Sequence, residues 1–239
     1  MKTKVCVQGL GFVGSAMAVA VASSKLKKFE VVGVDLENTL GKDRVNKINN
    51  GIFPFETTDK KIKSHLYRCW KQKKLVATHN KKVYELADIV LMSLPFNLTS
   101  LKGNNISAEW DHFISAVEDV SSRVPKHCLV ILQSTLLPGT IVKKVIPLFK
   151  ENFLARGIIE DPLIAYSYER VMPGDKYFDS IVNNYRCFAA SNKVAEKRCS
   201  EFFSSFINVK VYPLLKLSNF ETAEVAKIME NSFRAVNIA

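Results

Sequence analysis

The chain is short of the features that mark several protein classes. Its five cysteines, Cys6, Cys69, Cys128, Cys187 and Cys199, are odd in number and include no C-x-x-C pair. That argues against a disulfide framework and a zinc site, and it fits a reducing cytoplasm, so no metal is expected. No apolar run approaches the ~20 residues of a membrane span. Met1-Lys2-Thr3-Lys4 leads straight into a β-branched run, so no signal peptide is expected. Internal repeats and low-complexity tracts are missing too. Acid is scarce: 23 Asp and Glu stand against 34 Lys and Arg, a net charge of +11. The lysines come in clusters (Lys25/Lys27/Lys28, Lys60/Lys61/Lys63, Lys71/Lys73/Lys74, Lys81/Lys82, Lys143/Lys144) without regularly interleaved aromatics. This reads as a solvated surface, with neither nucleic acid nor membrane as partner, and one that attracts an anionic small molecule.

What the chain does have is concentrated near its start. Lys4 to Val7 reads as a buried strand, and Gly9, Gly11 and Gly14 follow as G-x-G-x-x-G. A helix of small residues, Ala16 to Ser23, comes next. In a dinucleotide-binding turn Gly9 permits the tight bend, Gly11 lets a pyrophosphate approach the backbone, and Gly14 lets helix and strand pack closely. The helix N-terminus, beginning around Phe12 and Val13, offers free N–H groups to phosphate. A second strand, Glu30 to Val34, ends in Asp35, 21 residues past Gly14, where an acidic residue can bind the adenosine ribose hydroxyls. The plain alternative is a glycine-rich turn without a ligand; strand, helix, second strand and acid together favour the dinucleotide.

The remaining pattern alternates strand and helix. Val45 and Ile48 have helical spacing ended by Gly51, and residues 59–72 read as a basic helix. Strands are expected at Lys74–Thr78, Ala87–Pro95, Cys128–Gln133, Ile164–Ser167 and Cys187–Ala190, with a short one at Val209–Tyr212. Phe96 to Asn105 reads as a polar loop, and Ser107 as the cap of a helix to about Ser122. Further helices are expected at Thr140–Phe153, Lys193–Phe206 and Ser218–Ala239. This is the order of an α/β fold, a doubly wound parallel sheet of Rossmann type, followed by the start of a long helix. Ligands in such sheets lie beyond the carboxyl ends of the strands, so Gly9–Gly14, Asp35, Pro95, Ser134 and Thr135 should share one crevice.

Several phrases, in this order and spacing, resemble the UDP-glucose/GDP-mannose dehydrogenase family. They are the Gly9–Gly14 turn, R-V-x-x-I-N-x-G-x-x-P from Arg44 to Pro54, Gln133-Ser134-Thr135-Leu136-Leu137-Pro138-Gly139-Thr140, Tyr166 to Gly174, and Ala223 to Ala239. The last two are closest in wording to the UDP-N-acetylhexosamine branch. The resemblance implies NAD-dependent oxidation of the C6 hydroxyl of a UDP-sugar to a carboxylate, with two NAD, for surface polysaccharide precursors. It implies an NAD domain (1–213), the start of a central dimerisation helix (214–239), a homodimer, and a nucleotide-sugar domain that this sequence does not contain. The family's nucleophilic cysteine stands in a G-x-C setting that none of the five cysteines has, so the chain alone is expected to be inactive.

The resemblance also implies roles. Lys227 and Asn231, four apart on one helix face, would stabilise a developing oxyanion. Glu169 would position or deprotonate a water, Thr135 would orient a water or the substrate hydroxyl, and Arg44 would lie near the adenosine. From the residues alone these read as a surface lysine, a solvated asparagine, a loop salt bridge of Glu169 with Arg170, a strand-end cap and a surface arginine. Tyr168, Phe96 and the Phe188-Ala189-Ala190 run depart from the family's usual proline, threonine and glycines. Two other readings stay open: a non-catalytic NAD-binding module, and a different Rossmann-fold dehydrogenase using Lys227 as general acid.

Overall fold

The computed structural model describes residues 2–96, 98–100, 106–108, 110–172 and 174–238, without the side chains of 98–100 and 106–108. Strand β1 (Thr3–Gln8) runs into the glycine turn and helix α1 (Phe12–Ala22). Then come β2 (Phe29–Val34), α2 (Thr39–Asn49), α3 (Lys60–Lys71), β3 (Leu75–Thr78), a 3-10 turn (Lys81–Leu86) and β4 (Ile89–Met92). A small antiparallel pair, β5 (Leu98–Ser100) and β6 (Ile106–Ala108), precedes α4 (Trp110–Ser121) and β7 (Leu129–Leu132). A π turn (Ile141–Val145) opens α5 (Ile146–Ala155), and β8 (Leu163–Tyr166), α6 (Tyr177–Val182), β9 (Arg186–Ala190), α7 (Lys193–Ser204), β10 (Leu214–Lys216) and α8 (Phe220–Ile238) follow.

Eight strands form one sheet in the order β10-β9-β8-β7-β4-β1-β2-β3. The run β3-β2-β1-β4-β7-β8 is parallel throughout and is the dinucleotide-fold order, with the strand order reversing between β1 and β4. Side-chain alternation builds a core on each face. Val5, Val7, Leu91 and Ile131 meet Ile62, Leu66 and Phe202 on one side. Cys6, Val90, Met92 and Val130 meet Phe113, Val117 and Phe149 on the other. Helix α1 has no polar face: Gly14 to Ala22 are all buried. A helix that is small and apolar all round fits between a sheet and other helices, and α1 touches β2, α3 and α6.

The structure corrects the expected pattern at three places. Val209–Tyr212 is a turn, and the last strand lies at Leu214–Lys216, where it pairs with β9. Ser107 lies in β6, so it is not the cap of α4. Leu98–Ser100 of the expected polar loop form strand β5; residues 97 and 101–105 of that loop, and Ala239 of the expected last helix, lie outside the described residues. The sheet is also not parallel to its end. Strand β9 pairs with β8 antiparallel, Ala165 opposite Ala190. Its first residue, Arg186, therefore sits at the crevice end of the sheet.

Candidate cofactor and active site

The turn after β1 is set by contact distances. Gly9 has φ +86°, and a Cβ there would lie 2.6 Å from the Ser93 carbonyl oxygen. A Cβ at Gly14 would lie 1.7 Å from the Gly9 carbonyl oxygen. Both positions exclude a side chain, the first also on backbone grounds. Around Gly11 the space is empty to 4 Å. No side chain caps α1 at Gly11, so the first-turn N–H groups of Phe12, Val13 and Gly14 are left for an external acceptor. A pyrophosphate fits this cradle; a side chain at 11 would fill it. From the far side Tyr177 donates its hydroxyl to the Phe12 carbonyl at 2.6 Å and fixes where the helix begins.

Asp35 stands just beyond β2, its side chain 8% exposed. It accepts from Leu10 N–H at 3.2 Å and Leu36 N–H at 2.8 Å, and pairs with Arg44 at 3.3 Å. Arg44 lies over the Phe55 ring, and Phe55 stacks on Phe12 at 4.1 Å. The acid, the arginine and two aromatics therefore border the glycine turn. At the end of β4, Ser93 donates to Gln133, and Ser134 joins Leu94 through both backbone groups: its hydroxyl donates to the carbonyl at 2.7 Å and accepts from the N–H at 3.2 Å. This ties the strand ends that carry Pro95 and Thr135; Pro95 is exposed and Thr135 half-buried. Phe96 packs edge-on against Trp110 and Phe113, which anchors the loop that leaves β4.

The second half of the site lies where α8 meets the end of β8. Glu169 is buried, and its carboxylate is ion-paired with Arg186, itself buried, while accepting from Arg170 N–H at 2.7 Å. Lys227 donates to the Glu169 main-chain carbonyl at 2.7 Å, with the Tyr168 ring 5.4 Å away. Burial pulls the Lys227 ammonium below the ordinary lysine value, against the pull of Glu230 and Glu169. Asn231, one turn on, is exposed. The bridge expected between Glu169 and Arg170 is replaced: Arg170 pairs with Glu230 at 2.8 Å.

Two residues that the sequence reading missed hold this half together. Arg186 carried no signal because the direction of β9 was not legible. Glu224, fully buried, accepts from Gly139 N–H at 2.6 Å and Ile141 N–H at 3.0 Å, and so docks α8 on the turn after Thr135. All five cysteines are free and buried. Burial pushes the Cys6 thiol up to about 12 and raises Cys69, Cys128 and Cys199, so none of these four is a ready thiolate. A cleft of about 640 Å³ lies at the opposite, amino end of the strands, between Lys4, Lys27, Asp88 and Arg198. It is distant from every candidate site residue. Among the described residues no cluster of His, Cys, Asp and Glu could hold a metal, and no helix is long and apolar enough to cross a membrane.

A doubly wound sheet with an uncapped glycine turn at its switch point and an acid after β2 defines a dinucleotide-binding domain of Rossmann type. Residues 3–207 match the NAD binding domain of the UDP-glucose/GDP-mannose dehydrogenase family, and the chain belongs to that family. NAD is the cofactor of this domain. The UDP-N-acetyl-D-mannosamine dehydrogenase of Campylobacter jejuni is 32% identical, over 99% of this chain and 54% of that protein. A structure of the UDP-D-ManNAc dehydrogenase from Pyrococcus horikoshii superposes with a TM-score of 0.82 at 28% identity, covering 99% of this chain and 51% of that one. An NDP-N-acetyl-D-galactosaminuronic acid dehydrogenase from Methanosarcina mazei Go1 shares the fold, with a TM-score of 0.84 at 22% identity over 98% and 47%. The chain spans about half the length of the curated relatives it matches.

Proposed function

We propose that this chain is the NAD-binding portion of a UDP-sugar 6-dehydrogenase acting on a UDP-N-acetylhexosamine in a reducing, cytoplasmic compartment. The observation that carries the reading is the cradle at Gly11, open where a side chain would stand, shaped by Gly9 and Gly14 and bordered by Asp35. NAD supplies the hydride acceptor. The chain's own groups bind and orient. The N–H groups of Phe12, Val13 and Gly14 take the pyrophosphate, and Asp35 accepts from the adenosine ribose hydroxyls. Arg44 and Phe55 border the adenosine, and Pro95, Ser134 and Thr135 form the crevice floor. Thr135 orients the substrate hydroxyl. Lys227, desolvated and held by the Glu169 carbonyl, is placed to exchange a proton with that hydroxyl and to stabilise its oxygen, with Asn231 completing the pair once a sugar is present. Glu169 acts in this scheme mainly through its backbone, since Arg186 occupies its carboxylate. The names of the relatives support a UDP-N-acetylhexosamine substrate.

Titration calorimetry with NAD and NADP tests this. The Asp35 carboxylate repels a 2′-phosphate, so NAD is expected to bind at least about tenfold more tightly. Asp35→Asn narrows the gap, because Arg44, released from its ion pair, can meet the phosphate. Tighter binding of NADP by the parent chain would sink the assignment.

A further inference from the structure

Three of the lysine clusters, Lys25/Lys27/Lys28, Lys60/Lys61/Lys63 and Lys71/Lys73/Lys74, the last two carried by α3 and the chain after it, meet on one edge of the molecule. Helix α3 and the chain after it, Lys60 to Lys74, contain seven Lys or Arg and no acid. Ile62, Leu66 and Cys69 turn inward, so the opposite face presents Lys60, Lys63, Arg68 and Lys71 around Tyr67, all exposed. The loop after α1, Lys25-Leu26-Lys27-Lys28, lies beside this helix. Ser23 contacts Cys69 at 3.3 Å, and Lys25 and Arg68 both act on His65. The nearby acids are few. Asp59 is buried as the cap of α3, Asp179 pairs with Lys61, and Glu30 and Glu201 share only the Lys27 flank. Within this positive field two apolar side chains protrude, Leu26 at 80% exposure and Tyr67 at 50%. The edge strand β3 follows directly.

We propose that this edge docks on an anionic membrane surface. Leu26 and Tyr67 enter the headgroup layer, and the surrounding cations face the lipid phosphates. A basic field alone suits any polyanion. An exposed leucine flanked by lysines, beside a tyrosine at the centre of a basic helix face, is the pattern of interfacial binding: apolar area is buried while charge is attracted. A nucleic-acid backbone would leave Leu26 unused. The docking is independent of the cofactor reading, because the edge lies outside the crevice.

Vesicle co-sedimentation tests it, with phosphatidylcholine alone and with about 30% phosphatidylglycerol, at about 0.1 M salt, where the Debye length is ~10 Å. Binding is expected to the anionic vesicles only. The exposed double variant Lys63→Glu/Lys71→Glu should bind at least about tenfold more weakly. Lys193→Glu/Lys197→Glu, with the same change in net charge on α7, should stay within about twofold. Leu26→Ser/Tyr67→Ser should weaken binding about threefold or more at unchanged charge. Three results would overturn the proposal: no binding to anionic vesicles, equal losses from the two charge reversals, or undiminished binding by the Leu26/Tyr67 variant together with displacement by single-stranded RNA, which would make the partner a nucleic acid.

Discussion

Arg186 and Glu169 place two opposite charges out of water, where the attraction has to offset the desolvation of both. The guanidinium also lies over the Phe203 ring at 4.6 Å, and its second terminal nitrogen has no hydrogen-bond partner among the described residues. Removing one member leaves the other buried and uncompensated. Arg186→Ala is therefore expected to destabilise the chain by about 3–5 kcal/mol. The double variant Arg186→Met/Glu169→Leu, which removes both charges, should come much closer to the parent chain. Urea unfolding of the three proteins decides, and an Arg186→Ala loss no larger than that of the double variant would show the pair to be dispensable. Glu169 was singled out in the sequence by the phrase around it. Its partner was not, because the residue that reaches a carboxylate depends on strand direction and not on spacing.

At the scale of the element, α8 is the piece that joins the cofactor domain to the candidate catalytic groups. Asn219 caps it, accepting from Thr222 N–H at 2.8 Å. Its first turns are held by Glu224, whose two carboxylate oxygens serve the N–H groups of Gly139 and Ile141. Glu224→Ala orphans both donors in a buried turn and should cost roughly 2–4 kcal/mol. The pH dependence has a definite sign. Burial raises the Glu224 carboxyl above its ordinary 4.5, and this outweighs the opposing effect of the two N–H bonds. Between the ordinary and the raised value the folded chain holds more protons than the unfolded one, so stability falls as pH rises through that window. Glu224→Gln should flatten this slope, measured by thermal unfolding across the acid range; an unchanged slope would place the titration elsewhere.

At the scale of the molecule, the far half of α8 is tied back by the Arg170–Glu230 pair, but its apolar face is left exposed among the described residues. Met229, Phe233 and Val236 are 65%, 71% and 77% exposed. Together with the less exposed Val225 they form an apolar stripe along one face. An exposed stripe of this kind tends to find a partner, and a second copy meeting it about a two-fold axis is the reading we favour. Sedimentation should show the parent chain self-associating and Phe233→Glu monomeric. A parent chain that stays monomeric at every concentration would rule this out.

The sequence by itself determined the cofactor half. Three glycines at fixed spacing, a strand ending in Asp35 and a helix of mostly small apolar residues admit one local geometry, because each excludes its alternatives by sterics within a few residues. It also determined the strand–helix alternation, for the same local reason. The tertiary structure decided what depends on distant partners. It turned β9 against β8, which carried Arg186 to Glu169 over 17 residues of chain. It moved the last strand from Val209–Tyr212 to Leu214–Lys216, where β9 offered a free edge. It made Glu224, one acid among 23 in the sequence, the acceptor for a turn 83 residues away. It also gathered scattered lysine clusters onto one edge. Side-chain pairing across such separations is set by strand order and direction, and these are properties of the packed sheet that no single stretch of sequence encodes.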